Sequence, residues 1–178
     1  MTTMEVIPPQ VPSLPVWPQN PDAVDPCAAA YLVIAIGSAP RTADVAAGWV
    51  QTAQDRAPTR LLVLDSMDDE QCRADLALAL AGIRTGARIM ITGGQYDVLT
   101  ALAAARAAGA TPAELTSFVV NTDDVPIFCA HCRGTFRVLA GPGDEVQCPG
   151  CARILEIHEH FASALGSFLA SDARAREI

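Results

Sequence analysis

Tyr31-Leu-Val-Ile-Ala-Ile36 is six consecutive apolar residues with no polar alternation, closed by Gly37. A run of this length, bounded by a turn residue, reads as a strand buried on both faces, and such strands belong to parallel sheets covered by helices. The flanking sequence keeps to that grammar. Thr42 can cap a helix through about Arg56, with Val45, Trp49 and Ala53 on one side. Leu61-Leu-Val-Leu64 reads as a second buried strand, and residues 69–84 as a second helix with Cys72, Leu76, Leu80 and Ile83 at helical spacing. Arg88-Ile-Met-Ile-Thr92 gives a third strand, which Gly93-Gly94 turns into a helix from Gln95 to Ala108. Leu115 to Val120 is a fourth strand. Strand and helix in strict alternation predict an α/β fold with a parallel, Rossmann-like sheet over residues 31–124.

On either side the composition changes. Residues 1–30 form a proline-rich arm with Pro8, Pro9, Pro12, Pro15, Pro18, Pro21 and Pro26. Proline fixes φ and removes a donor, so the arm should be extended and cannot build a core by itself. It is either a disordered tail or a segment that docks on another subunit through Leu14, Val16 and Trp17. Residues 125–178 alternate short β segments (125–129, 134–139, 145–148, 152–158) with cysteine pairs and glycine turns. A final helix over about 160–171 would present Phe161, Leu165, Phe168 and Leu169 on one face.

The cysteine pairs carry the clearest chemistry. Cys129-Ala-His-Cys132 and Cys148-Pro-Gly-Cys151 are 15 residues apart, giving Cys-x2-Cys-x15-Cys-x2-Cys. Each pair forms a knuckle that aims two thiolates at one ion, and four thiolates at about 2.3 Å suit tetrahedral zinc with no open position. The expected role is structural, since so small a ribbon cannot bury enough apolar surface to fold without the ion. Iron in a rubredoxin-like site is the competing assignment. Cys27 and Cys72 read as inert thiols. His131 lies inside a knuckle, facing solvent. His158 and His160 fit an entry to the final helix or an interface, with Glu159 near that helix's N-terminus, and they lack the spacing of zinc hydrolases.

Composition narrows the function. All 12 basic residues are arginine, and the net charge is −8. Between Cys129 and Arg153, three arginines oppose Asp144 and Glu145, a net of +1. Neither value provides the cationic footprint that nucleic acid requires. No apolar run is long enough to span a membrane and no charged leader precedes one, so a cytoplasmic location is expected. No nucleophile with a neighbouring base stands out. Asp65, Asp68, Asp69 and Glu70 read as loop solvation and helix capping.

Residues 31–119, through Gly37 and Pro40 after the first strand and Gly93 before the last helix, resemble the nucleotide-binding lobe of ferredoxin-reductase-type flavoproteins. That resemblance implies Gly37, Ser38, Gly93 and Gly94 as the cofactor-contacting positions. Thr92 and Gly94 replace that family's cysteine and proline, and no flavin-binding barrel precedes the lobe, so NADPH is not expected in this chain. The whole chain is similar to the small A (DmmA-like) subunit of bacterial dimethylamine monooxygenase. The residues that carry this are Cys129-Ala-His-Cys-Arg-Gly-Thr-Phe136, Gln147-Cys-Pro-Gly-Cys-Ala152, Leu155-Glu-Ile-His-Glu-His-Phe161 and Leu165-Gly-Ser-Phe-Leu169. The resemblance implies an accessory subunit, not catalytic alone, of an NADPH- and oxygen-dependent complex that converts dimethylamine to methylamine and formaldehyde. Haem, flavin and iron–sulfur would then reside in partner subunits. The competing function is a pyridine-nucleotide-binding reductase component feeding a partner oxygenase.

Overall fold

The computed structural model describes residues 13–175. Pro8, Pro9 and Pro12 of the arm lie outside them. The first half is a four-stranded parallel sheet in the order β2-β1-β3-β4. Its strands are β1 (Ala30–Ile36), β2 (Thr59–Leu64), β3 (Ala87–Gly94) and β4 (Leu115–Asn121). Between them run α1 (Pro40–Gln54), α2 (Glu70–Ala81) and α3 (Gln95–Ala107). β1 is central and buried, as its composition demands. Leu32, Ile34 and Ile36 face α2 and α3, while Tyr31, Val33 and Ala35 face α1 with Ala46, Trp49 and Ala53.

Two expectations are corrected here. β2 is an edge strand, not a buried one: Leu61 and Val63 remain 46% and 64% exposed. Its one neighbour is β1, so its other edge is left without a strand. Nor is Thr42 a cap. The helix begins at Pro40, whose missing N–H and fixed φ suit a first turn, and Thr42 is buried inside that turn.

The second half is a five-stranded sheet in the order β6-β5-β9-β8-β7. It comprises β5 (Val125–Cys129), β6 (Thr135–Val138), β7 (Glu145–Gln147), β8 (Ile154–Ala162) and β9 (Ser167–Asp172). The expected helix over 160–171 is absent; those residues are the end of β8, a turn, and β9. The reason is long-range. β5–β6 and β7–β8 are two antiparallel hairpins, each with an open inner edge. β9 fills the gap, parallel to β5 and antiparallel to β8, and satisfies the backbone groups of both. A helix would have left two buried strand edges unpaired. Glu159 and the two histidines are therefore strand residues with no helix to enter. His158 Nε2 lies 2.7 Å from Ser171 Oγ, and His160 forms an isolated bridge with Ser13.

The sheets share one body of contacts. Leu99 of α3 belongs to the core of the second sheet. The β8–β9 turn sits so close to α3 that a Cβ on Gly166 would stand 2.6 Å from Ala103 Cβ. Trp17 packs against both cores and donates from Nε1 to Gln95 Oε1 at 2.8 Å. The arm's tryptophan is thus docked on its own chain, not held out for another. Val16, 91% exposed, is not docked in this way.

Candidate metal centre

Cys129 closes β5 and Cys132 sits in the turn to β6; Cys148 and Cys151 occupy the matching turn from β7 to β8. The two knuckles repeat one backbone design. Arg133 N donates to Cys129 O and Ala152 N to Cys148 O, at 2.8 and 2.9 Å. Both of these residues adopt left-handed φ, 59° and 58°. Cys129 N to Gly134 O and Cys148 N to Arg153 O complete each turn. β9 fixes the distance between the hairpins, so the knuckles converge.

The thiols fit an ion. All four Sγ atoms lie within 4.8 Å of one another. Cys129 to Cys151 is 3.8 Å and Cys132 to Cys148 is 3.7 Å. A tetrahedron with metal–sulfur bonds of about 2.3 Å has edges of about 3.8 Å. A disulfide would need about 2.05 Å, and all four cysteines are free. Cys129 and Cys148 are buried, whereas Cys132 is exposed. Burial raises the Cys129 thiol, but the backbone N–H groups of Cys132 and His131 outweigh it and bring the group down to about 7. Cys151 is pushed the other way, to about 12: the Arg153 N–H lowers it, but desolvation and the neighbouring thiols prevail. Four sulfurs held this close are a set that a divalent cation would stabilise as thiolates.

Two further residues complete the centre, and sequence reasoning missed both. Phe136 lies across the knuckles: a Cβ on Gly134 or Gly150 would come within 2.5 or 2.3 Å of its Cζ. Its neighbour Arg137 projects to the α/β half. There Nη2 donates to Asp97 Oδ2 at 2.8 Å, and Nη1 donates to Asp68 Oδ2 and Ser66 Oγ, each at 3.0 Å. Nε donates to Asp124, and the guanidinium stacks 4.4 Å from the Tyr96 ring centroid. Asp97 is buried and also accepts from Met67 N at 2.7 Å. Burial, with Asp68 second, raises the Tyr96 hydroxyl above its ordinary range. A lone arginine in a ribbon has no pattern to find; only the alternation of β6 would have placed it opposite Phe136.

The cofactor-contacting positions divide. Gly37, Ser38 and Gly94 line a crevice of about 370 Å³ at the carboxyl ends of the strands. Gly93 does not. A Cβ there would meet Ile36 O at 2.7 Å, so its bare backbone serves strand packing. Gly37, at φ +93°, is explained by its turn. The crevice wall also carries Asp65, Asp97, Asp123 and Asp124 against Arg137, a formal −3.

Fold and site together define a mixed α/β protein whose second sheet holds a four-thiol centre that could bind one metal ion. Residues 126–170, from β5 into β9, match the family described as dimethylamine monooxygenase subunit DmmA-like, C-terminal domain. The chain is also 28% identical over 157 residues to the heme-dependent oxidative N-demethylase delta subunit of Ectopseudomonas mendocina (strain ymp), covering 88% of this chain and 86% of that one. Both findings support the resemblance to a DmmA-like subunit. No solved structure matches the chain. Among the described residues, no helix is long and apolar enough to cross a membrane.

Proposed function

We propose that this chain is an accessory subunit of an oxidative N-demethylase complex and that Cys129, Cys132, Cys148 and Cys151 hold a structural zinc ion. The observation that carries the proposal is the closed thiol set. Its edges suit four equal bonds, leaving no coordination position for substrate or water. Zinc suits four thiolates whose task here is to order five short strands. The relative's name, a heme-dependent oxidative N-demethylase delta subunit, supports haem in a partner subunit. The flavin and iron–sulfur groups of an NADPH- and oxygen-dependent reductase, also in partner subunits, rest on the family resemblance. The complex would convert dimethylamine to methylamine and formaldehyde. Free thiols fit a reducing cytoplasm. In this proposal residues 1–30 are an arm, 31–124 the α/β unit and 125–178 the metal unit.

The competing reading, a pyridine-nucleotide-binding reductase component, is opposed by charge. A pyrophosphate entering the crevice would face four carboxylates and one arginine already paired to three aspartates. Elemental analysis of the purified chain should give one zinc per chain, with no turnover and no saturable NADPH binding. Co-expression with its proposed partners should yield a complex. Iron, or disulfide-bonded thiols, would defeat the metal assignment; demethylase activity surviving deletion of the chain would defeat the subunit assignment.

A further inference from the structure

The crevice at the ends of β1 and β3 is built for positive charge. Four aspartates face one guanidinium there, and that guanidinium is spent: Arg137 already serves Asp68, Asp97, Asp124 and Ser66. The other nearby cation, Arg41, lies over the Phe118 ring at 5.2 Å. The N-terminus of α1 adds only about half a positive charge, too little to reverse the sign. Two acceptors in this wall have no hydrogen-bond partner among the described residues: Thr42 Oγ1, on a residue 1% exposed, and the buried Asp124 Oδ1. A buried carboxylate oxygen without a donor is costly, and the natural remedy is a cation carrying several N–H groups. Leu139 stands beside them, 83% exposed, an apolar rim for an aliphatic stem.

We infer that the crevice receives an arginine or lysine side chain from a partner protein. This rests on the reading of the chain as a subunit of an assembly, and it names the face by which the subunit docks. The entering side chain meets Asp65 and Asp123 at the mouth, lays its methylenes on Leu139, and brings its charge against the wall that holds the orphan Thr42 Oγ1 and Asp124 Oδ1. The crevice's own excess of carboxylates draws a basic surface toward this end of the sheet. A bare metal ion would leave Leu139 and most of the 370 Å³ unused.

The test uses the full chain and two variants that spare the Arg137 network. Asp65→Asn with Asp123→Asn removes exposed charge, and Thr42→Val removes the orphan hydroxyl at nearly constant volume. Titration with arginine amide, followed by backbone amide shifts, should perturb Gly37, Asp65, Asp123 and Asp124 saturably in the parent chain and not in the double variant. Magnesium or inorganic phosphate perturbing the same amides in its place would overturn the inference. In co-expression with the haem-bearing partner, either variant should reduce the retained partner at least about tenfold at unchanged zinc content. Equal retention by parent and variants would overturn the crevice while leaving the subunit reading intact. Failure of the parent chain itself to retain a partner would end both.

Discussion

Arg137 joins the two halves of the molecule through its bonds to Ser66, Asp68 and Asp97. Its guanidinium compensates Asp97, which is buried at the head of α3 and whose remaining partners, Met67 N and Ser66 Oγ, are neutral. Replacing it with alanine strands that carboxylate. With Arg137 about one-third exposed, the full cost of a broken buried pair is screened, leaving about 2–3 kcal/mol. Arg137→Ala should therefore lower the urea midpoint while zinc content stays at the parent level. Arg137→Lys should recover only part of the loss, because a point charge cannot address three carboxylates and a ring at once. Phe136 acts on the other side of the same strand. Gly150→Ala would push its ring off the second knuckle, and a misfit of about 1–2 kcal/mol corresponds to metal held about tenfold more weakly in competition with a chelator. Neither residue was legible in the sequence, whereas the four thiols were. Paired cysteines at fixed spacing encode a local turn, but the partners of Phe136 and Arg137 are set by tertiary packing.

The elements divide along the same line. The α/β half was readable from Tyr31 to Val120 because each strand is an apolar run and each helix a periodic one, with glycines and Asp69 marking the joints. Asp69 caps α2 as its position suggests, accepting from Cys72 N at 2.8 Å. That N–H holds its carboxyl below the usual range; Cys27 N–H does the same for Asp25, and Thr111 N–H for Glu114. A carboxylate depressed in the folded state stabilises above its unfolded value, near pH 4, and the benefit is lost as pH falls through the folded value. Thermal melting should thus be insensitive to pH from neutrality to about pH 5 as far as these groups act, then fall below about pH 4. Asp69→Asn, which keeps a capping oxygen but loses the charge, should shrink that acid loss. The final helix was misread because Phe161, Leu165 and Phe168 fit a helical stripe as well as they fit a strand, a turn and a strand. What decided between them was the open edges of β5 and β8, a demand that no local window contains. Gly166 confirms the turn. Alanine there would collide with Ala103 and force a residue at φ +65° to carry a side chain. Gly166→Ala should therefore loosen β9 from α3, read as faster amide exchange in β9.

In the whole molecule, the proposed ion and the interface between the halves should depend on each other. The second sheet's own apolar core is small: Val125, Ile127, Val138, Leu155, Ile157, Phe168 and Ala170 make up most of it, and Leu99 is borrowed from α3. The first half has two cores of its own, one on each face of a continuous parallel sheet. Structural zinc in small sites contributes about 10–16 kcal/mol to folding, more than such a core can replace. Chelation should therefore unfold the molecule unequally. Residues 125–175 should lose protection from amide exchange, while β1, β3 and the three helices keep theirs. Trp17 provides the optical report, because it packs on both cores and its indole is held by Gln95. Trp49, on the buried face of α1 and bonded to Asp22 O, lies within the part that should persist. In a Trp49→Phe background, metal removal should shift the remaining emission to the red and metal return should restore it, with far-ultraviolet helical signal nearly unchanged. A single transition in which helix signal and Trp17 emission vanish together would mean that the α/β half cannot stand without the metal sheet. The ion would then be holding up the whole protein and not one side of it.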